Sequence, residues 1–411
     1  MSSSSQNGKP SLRVVAIGGG TGLSTLLRGL KRYVAAPAAS RRASDTAPRN
    51  TGAPRLDSGT WVSTQFQPGE QPPALPCLIR DLAAIVTVTD DGGSSGRLRE
   101  ELNMLPPGDI RNCMVALSED ELLLARLFQY RFHHGDLDGH SFGNLFLAAL
   151  SGITGDFAQA VQMSSQILAA RGRIYPATNS DVTLAARMDD GSLVHGETSI
   201  TASPHRIVEL MLLPPNAQPL PATLDAIANA DLITLGPGSL YTSLITNLLV
   251  RGIPEAIAAS KATRVYIGNL MTQANESLGL TASEHIEKII QHCNGVSKSC
   301  HSERSEESPH CVPGAKPSTV REDASDKGVC EASHYPRIFD YALINTAPIS
   351  PTLLELYARG GQAPIAPDLD RIRALGVEPI PGDFALEGNL LRHDPDRLTQ
   401  ALLPLALNRP A

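Results

Sequence analysis

Short apolar runs alternate with amphipathic stretches along most of the chain. Five runs have the length and composition of buried strands: LRVVAI (12–17), CLIRDLAAIVTV (77–88), DLITL (231–235), TRVYIGN (263–269) and YALIN (341–345). Most are followed by a stretch with apolar residues at helical spacing, as LSTLLRGLKRY follows the first run. Strands that alternate with helices predict an α/β fold, a mainly parallel sheet with helices on both faces.

The middle of the chain departs from this alternation. Helical patterns cover 118–132, 141–152 and 155–171, and the second, SFGNLFLAALSG, is apolar almost all round, which predicts a buried helix. Between Ile174 and Leu213 the pattern changes to short alternating segments with a hairpin-turn signal at Asp190-Gly191. We therefore expect a small antiparallel excursion from the parallel sheet.

Two stretches interrupt the pattern altogether. Residues 35–76 are rich in Ala, Pro, Ser, Arg and Gly, and residues 294–335 are polar, so both are predicted to be flexible, disordered inserts. The remaining core at about 12–34, 77–293 and 336–408 predicts a single α/β domain that spans 1–411.

Composition excludes several classes of protein. With 42% hydrophobic and 19% charged residues in 411, the chain can bury a substantial core. A net charge of −7 offers no diffuse basic surface for nucleic acid. No apolar run is long enough for a membrane span, and the N-terminus MSSSSQNGKPS has no signal core, so we expect a cytoplasmic protein without a membrane partner. The six cysteines have no paired zinc-ligand spacing.

The first candidate site is the glycine turn that follows the first strand. It consists of Gly18, Gly19, Gly20, Thr21 and Gly22. Open sheets bind ligands at the carboxyl ends of their strands, and glycine lets backbone N–H groups approach a phosphate closely. The turn is not a Walker A loop, and Leu23 stands where a dinucleotide fingerprint has its third glycine. We interpret it as a phosphate cradle, and a purely structural turn remains the alternative.

The second candidate follows the next strand, in TVTDDGGSSGRLR. Asp90 and Asp91 stand beside Gly92 and Gly93, and two carboxylates near a phosphate require a hard cation such as Mg²⁺ or hydrogen bonds from ligand hydroxyls. An aspartate cap on the following helix is the structural alternative. The sequence leaves both interpretations open.

The third candidate is the loop GPGS, which again joins a strand to a helix. Gly236, Gly238 and Ser239 offer backbone amides and a hydroxyl, and the Thr242 hydroxyl follows, although Pro237 removes one donor. Asn144, Asn269 and Asn345 place amide groups near element ends, where each more often bonds to backbone than to ligand. Because all three loops follow strands, we expect them to meet at one edge of the sheet.

These residues together resemble a known family. The segments AIGGGTGLSTLLRGLK, TVTDDGGSSGRLR, PPGDIRNCMVAL, HSFGNLFLAAL, ADLITLGPGSLYTSLITNLLV and NLMTQANESLGLTASEH are similar to those of the bacterial gluconeogenesis factors, also called YvcK or GlmR. The resemblance runs from about Leu12 to Leu407, without the two inserts. That family resembles in turn the CofD transferases, which use Mg²⁺ to move a phospholactyl group from a guanylylated donor to a deazaflavin.

The resemblance implies a Rossmann-like, CofD-type fold and a cytoplasmic regulatory protein. Its implied ligand is a UDP-sugar, notably UDP-N-acetylglucosamine, and its implied role is to supply envelope precursors and maintain cell shape during gluconeogenic growth. A protein partner in amino-sugar synthesis and a homodimer are further implied. In the tail, Tyr357 and Arg392 match a tyrosine and an arginine associated with UDP-sugar binding, and an arginine suits a diphosphate while a tyrosine can stack on uracil.

Three functions remain in competition at this level. A UDP-sugar-binding regulator would bind without consuming its ligand, so the protein would not be an enzyme. A CofD-like transferase would hold Mg²⁺ on Asp90 and Asp91, but the sequence shows no clear general base for the acceptor hydroxyl. An NAD-dependent enzyme is disfavoured by the broken fingerprint and the missing ribose-binding acid. We therefore favour the regulator, with no catalytic residue assigned.

Overall fold

The computed structural model describes residues 12–34, 78–119, 123–274, 276–302 and 337–407. The predicted insert at 35–76 and residues 303–335 of the second insert lie outside this part of the chain. The predictions made for them are therefore not tested.

The described residues form twelve strands and fourteen helices. The strands are β1 (Leu12–Gly18), β2 (Ile79–Val86), β3 (Arg173–Pro176), β4 (Thr183–Met188), β5 (Leu193–His195), β6 (Ile207–Leu213), β7 (Leu232–Leu235), β8 (Thr263–Ile267), β9 (Tyr341–Asn345), β10 (Glu378–Gly382), β11 (Ala385–Leu386) and β12 (Arg392–His393). The helices are α1 (Gly20–Lys31), α2 (Gly93–Leu102), α3 (Gly108–Leu117), α4 (Leu123–Gln129), α5 (Phe142–Thr154), α6 (Phe157–Ile167), α7 (Glu197–Ala202), α8 (Pro221–Ala228), α9 (Thr246–Leu248), α10 (Ile253–Ala259), α11 (Ala282–Ser302), α12 (Pro351–Ala358), α13 (Leu369–Ala374) and α14 (Pro395–Leu407). A π-helical turn, Leu240–Ile245, leads into α9.

The main sheet has seven parallel strands in the order β10-β9-β8-β7-β1-β2-β3. From β1 the chain moves outward to β2 and β3, and from β7 it moves the opposite way to β8, β9 and β10. The strand order therefore reverses between β1 and β7. In open α/β sheets the ligand crevice lies at such a switch point, outside the carboxyl ends of the strands.

Helices cover both faces of this sheet, as the sequence predicts. Because parallel crossovers are right-handed, the helices that follow β1 and β2 lie on one face and those that follow β7, β8 and β9 lie on the other. On the first face α1 packs against α3 and α14, and on the second α8 packs against α10 and α11 against α13. The apolar strands between the two layers, such as Ala84–Val86 in β2, are fully buried.

The predicted antiparallel excursion is confirmed as a three-stranded sheet in the order β5-β4-β6. Its first hairpin turns at Asp190 and Gly191, where Gly191 has a φ of 83° and the Asp190 carboxylate accepts the Ser192 amide at 2.9 Å. A type of turn that needs positive φ explains the glycine.

The helix predicted at 141–152 is present as α5, but the prediction that it is buried is wrong. In α5 only Gly143, Asn144 and Leu147 are buried, and Ile153 near its end is 77% exposed. The helix packs against α4 and α6 along one side. Its apolar residues on the other side are not covered by another described element, so an apolar composition did not predict burial here.

Helix α11 also extends further than the sequence pattern indicates. It continues to Ser302, nine residues beyond the boundary placed after Cys293. That stretch, NGVSKSCHS, contains no proline, and its single glycine costs a formed helix only about 1 kcal/mol. Among the described helices, none is both long and apolar enough to cross a bilayer.

Candidate functional site

A cavity of about 440 Å³ opens at the switch point between β1 and β7. Parts of all three predicted loops line it, together with the two predicted tail residues. The predicted residues in its wall are Gly19, Gly20, Thr21, Gly22, Asp90, Gly238, Ser239, Tyr357 and Arg392. The three loops therefore meet at one edge of the sheet, as expected from the sequence.

The glycine turn and the GPGS loop are in backbone contact. A Cβ atom on Gly22 would lie 2.3 Å from the carbonyl oxygen of Pro237, and one on Gly19 would lie 2.7 Å from Oδ2 of Asp109. Gly20 has a φ of 60°, in the left-handed region that favours glycine. The glycines are thus required by close approach, which keeps the backbone of both loops at the cavity surface.

Several predicted residues stand behind the cavity. The Gly18 carbonyl accepts hydrogen bonds from the Thr87 amide at 3.1 Å and the Asn247 side chain at 3.0 Å, and the Gly236 amide donates to Ile17 at 3.0 Å. These bonds join the loops to the sheet. Gly92 and Gly93 likewise lie outside the cavity wall, where they begin α2.

Asn144 is buried beneath α2. Its side-chain Nδ2 donates to Oγ of Ser94 at 3.1 Å. Its backbone amide donates to Oγ of Ser141 at 3.3 Å, and Ser141 thereby caps α5. The side chain therefore supports the loop that carries Asp90 from behind, at a distance from the cavity wall.

The two adjacent aspartates do different things. Asp90 faces the cavity and its Oδ1 accepts the Gly92 amide at 3.0 Å. Asp91 turns away, and its Oδ1 accepts both the amide and the hydroxyl of Thr198, at 2.8 and 2.6 Å. The aspartate cap expected on α2 is not found, since the N-cap of α2 is Gly92 and has no side-chain cap bond. Asp91 instead caps the first turn of α7 from outside that helix.

Replacement of Asp91 by alanine should destabilise the protein by about 1 kcal/mol, because α7 loses its cap. Asp91→Asn should stay close to the original stability, since an amide oxygen can accept the same two bonds. Chemical denaturation measures both. Equal losses in the two variants would show that the charge of Asp91, and not its capping bonds, stabilises the fold.

Donors in the GPGS loop and in the turn that follows it bond to other parts of the protein. The Gly238 amide donates to Oδ1 of Asn269 at 3.3 Å, and the Thr242 hydroxyl and the Tyr241 amide donate to the Glu276 carboxylate at 3.0 and 3.2 Å. Burial raises the pKa of Glu276, which these bonds partly offset. The expected contribution of the Thr242 hydroxyl to a phosphate site is therefore not supported, whereas Ser239 lines the cavity with its Oγ accepting Nε2 of Gln273 at 2.9 Å.

Two carboxyl groups that sequence reasoning missed complete an acidic wall with Asp90. Asp109, at the start of α3, accepts a hydrogen bond from the Gly20 amide, yet burial and the nearby Asp90 raise its pKa to about 6. The position beside a helix start was the available signal.

Glu197 reaches the same wall from α7, next to the antiparallel sheet. Part of the residue is exposed, but neighbouring groups enclose its carboxyl, and this burial, with Asp109, Asp90, Glu276 and Asp91, raises its pKa to about 9. Its Oε2 accepts the Thr89 hydroxyl at 3.3 Å. No local pattern links Glu197 with the glycine loops, because the contact depends on how the antiparallel sheet folds back.

Another part of the cavity wall comes from the C-terminal part of the chain. Tyr357 extends from α12, Arg392 and His393 belong to β12, and Gln362 follows α12. The Tyr357 hydroxyl accepts the Leu391 amide at 3.0 Å, and His393 bonds through Nε2 to the Gly268 carbonyl at 3.0 Å. Arg392 itself is exposed at the rim of the cavity.

Comparison with known proteins assigns this arrangement to a family. The family model described as 2-phospho-L-lactate transferase CofD matches residues 14–385. The chain is 40% identical to the gluconeogenesis factor of Halalkalibacterium halodurans over 95% of both proteins, and 37% identical to that of Bacillus subtilis over 96% of this chain and 98% of the relative. The chain belongs to the gluconeogenesis-factor branch of the CofD family.

A crystal structure from the same family has the same fold. The UPF0052-family protein of Bacillus halodurans superimposes with a TM-score of 0.73 at 39% identity, over 96% of this chain and 99% of that one. The CofD-type architecture expected from the sequence is therefore confirmed.

The CofD relationship raises the question of a metal. Oxygen ligands suit Mg²⁺, and Asp90 and Asp109 both line the cavity, whereas Asp91 is engaged by Thr198. The predicted pair of Asp90 and Asp91 is thus not arranged to share an ion, and Asp90 with Asp109 fits better. Among the described side chains, three potential metal ligands gather closely only at Asp189, Asp190 and His205, which are exposed and away from the cavity.

Proposed function

We propose that the protein binds a UDP-sugar such as UDP-N-acetylglucosamine in this cavity and acts as a regulator that does not consume its ligand. The observation that carries the proposal is the meeting of the glycine turn, the GPGS loop and Arg392 around one cavity at the strand-order reversal. Switch-point crevices of α/β sheets are where nucleotides bind.

The groups that line the cavity support an anionic ligand. The glycine turn opens α1 with Gly19 as an N-cap that has no side-chain cap bond, a helix N-terminus favours a phosphate, and Arg392 at the rim can pair with a diphosphate bidentately. The acidic wall lines the same cavity, so the ligand needs either hydroxyl groups that donate to carboxylates or an accompanying cation. A nucleotide sugar supplies both a diphosphate and several hydroxyls.

A second function is favoured by one observation. Glu197 is a carboxyl group in the cavity wall with a pKa near 9, and the sequence alone had offered no acid–base group. In a CofD-like transferase, Asp90 and Asp109 would hold Mg²⁺, which would neutralise charge on a diphosphate. The charge of the ion would also lower the pKa of Glu197, so that its carboxylate could accept the proton of an acceptor hydroxyl.

Calorimetric titration with UDP-N-acetylglucosamine, GDP and NAD, each with and without Mg²⁺, tests the two proposals. For the regulator we expect binding of the UDP-sugar and its recovery intact by mass spectrometry. Cleaved nucleotide that appears only with Mg²⁺ would replace the regulator with the transferase, and no UDP-sugar binding would overturn the proposal.

Two arginine variants localise the binding. Arg392→Ala should weaken UDP-sugar binding by about tenfold, because it removes a charged contact to the diphosphate. Arg359→Ala is the matched control, since Arg359 is an exposed arginine at the end of α12 outside the cavity wall. Equal effects of the two changes would indicate general electrostatic attraction.

The cellular role rests on the relatives. The relatives are named gluconeogenesis factors. From what the resemblance to that family implies, we infer that the protein acts in the cytoplasm on amino-sugar synthesis through a protein partner, and supports envelope supply and cell shape during gluconeogenic growth. A deletion strain should lose its shape on gluconeogenic carbon sources and keep it on glucose. Complementation by Arg392→Ala would separate this role from ligand binding.

A further inference from the structure

Arg392 lies in a segment with little support from the main core. The ladder of β11 and β12 contains only two residue pairs. Leu391 belongs to a small separate apolar cluster with Leu270, Met271, Leu353 and Ala385. Segments with few core contacts open easily, so the position of Arg392 depends on the specific bonds that hold its neighbours.

Both neighbours of Arg392 are held by side-chain hydrogen bonds. On one side the Tyr357 hydroxyl accepts the Leu391 amide at 3.0 Å and lies 3.5 Å from the Leu391 carbonyl oxygen. On the other side Nε2 of His393 lies 3.0 Å from the carbonyl oxygen of Gly268, which makes Nε2 the donor. Burial lowers the pKa of His393 to about 4, so the ring is neutral at physiological pH.

We propose that Tyr357 and His393 are positioning residues that fix the backbone on both sides of Arg392. This inference rests on the proposed function, in which Arg392 contacts the ligand. It differs from the expectation that Tyr357 stacks on uracil, because the hydroxyl and not the ring face makes the contact that matters. Tyrosine and phenylalanine are therefore not equivalent at this position.

The hydrogen bonds of Tyr357 and His393 on either side of Arg392, here called the clamp, also connect Arg392 with the GPGS loop. Gly268 receives the His393 bond, and the next residue, Asn269, accepts the Gly238 amide at 3.3 Å. The end of β8 thus fixes both the loop and the arginine. The GPGS loop and Arg392 would keep a constant separation through this two-residue link.

Hydrogen exchange on the unliganded protein tests the clamp without any ligand. In Tyr357→Phe the amides of residues 388–393 should exchange at least tenfold faster, because the Leu391 amide loses its acceptor. Tyr341→Phe is the control, a tyrosine on β9 outside the cavity wall. Unchanged exchange in Tyr357→Phe would overturn the proposal whether or not the protein binds a nucleotide sugar.

A double-mutant cycle with UDP-N-acetylglucosamine tests whether the clamp acts through Arg392. We expect Tyr357→Phe to weaken binding three- to tenfold in the original protein and to have no further effect in Arg392→Ala. His393→Phe should behave in the same way. Losses that add to that of Arg392→Ala, or a Tyr357→Phe variant with full affinity, would overturn the positioning role. Absence of binding to the unmodified protein would instead refute the proposed function, and the exchange result would still decide the clamp.

Discussion

Replacement of Glu197 by glutamine should make the protein more stable at pH 8 and flatten the dependence of its stability on pH. The native carboxyl has a pKa of about 9 against an ordinary value of 4.5, so between these values the folded state keeps a proton that the unfolded state releases. The free energy of unfolding of the original protein therefore falls as the pH rises through this window. Glutamine has no such proton to lose.

The size of the effect follows from the width of the window. One pKa unit corresponds to about 1.4 kcal/mol, so from pH 6 to pH 8 the variant should gain about 2–3 kcal/mol relative to the original protein. Asp109, with a pKa of about 6 against 3.8, adds a similar dependence mainly below pH 6 in both proteins. The range above pH 6 therefore isolates Glu197.

Denaturant unfolding at several pH values measures this difference. Glu100→Gln, on the exposed side of α2 with no ion pair among the described residues, is the control and should run parallel to the original protein. Parallel curves for Glu197→Gln would mean that the cavity does not raise the pKa of the Glu197 carboxyl.

The second large effect concerns the contact between the two glycine-containing loops. Gly22→Ala should destabilise the protein by about 1–3 kcal/mol and weaken UDP-sugar binding at least tenfold, because its Cβ would lie 2.3 Å from the Pro237 carbonyl oxygen. The neighbour is backbone, so the GPGS loop or α1 must move.

Gly152→Ala provides the matched control for Gly22→Ala. It too replaces a glycine in a helix, but no atom lies within 4 Å of the added methyl group, so stability should rise slightly through helix propensity. Thermal unfolding and calorimetry measure both variants. A Gly22→Ala protein with unchanged affinity would show that the contact between the loops is not needed to hold the ligand.

The sequence predicted the parts of the fold that depend on local pattern. β1, the glycine turn and α1 follow directly from an apolar run, five residues of GGGTG and helical periodicity. The convergence of three loops followed from the rule that parallel strands end at one edge. Even Tyr357 and Arg392, which the family resemblance supplied, lie in the cavity wall.

The roles of the acidic residues and the exposure of α5 depended on tertiary contacts that no local pattern encodes. Asp90 and Asp91 are adjacent and chemically identical, and only the fold of α7 against their loop determines which one faces the cavity. Glu197 is distant in sequence from both glycine loops. The exposure of α5 was likewise invisible, because an apolar helix looks the same whether or not another element covers its outer side.

The carboxyl groups of the acidic wall come from two different parts of the fold. Asp109 and the glycine turn belong to consecutive units of the parallel sheet, whereas Glu197 belongs to α7, within the antiparallel excursion between β3 and α8. Exchange of that excursion would remove the Glu197 carboxyl from the cavity and leave the loops of the parallel sheet in place. The two functions proposed for the cavity would therefore differ through a single inserted segment.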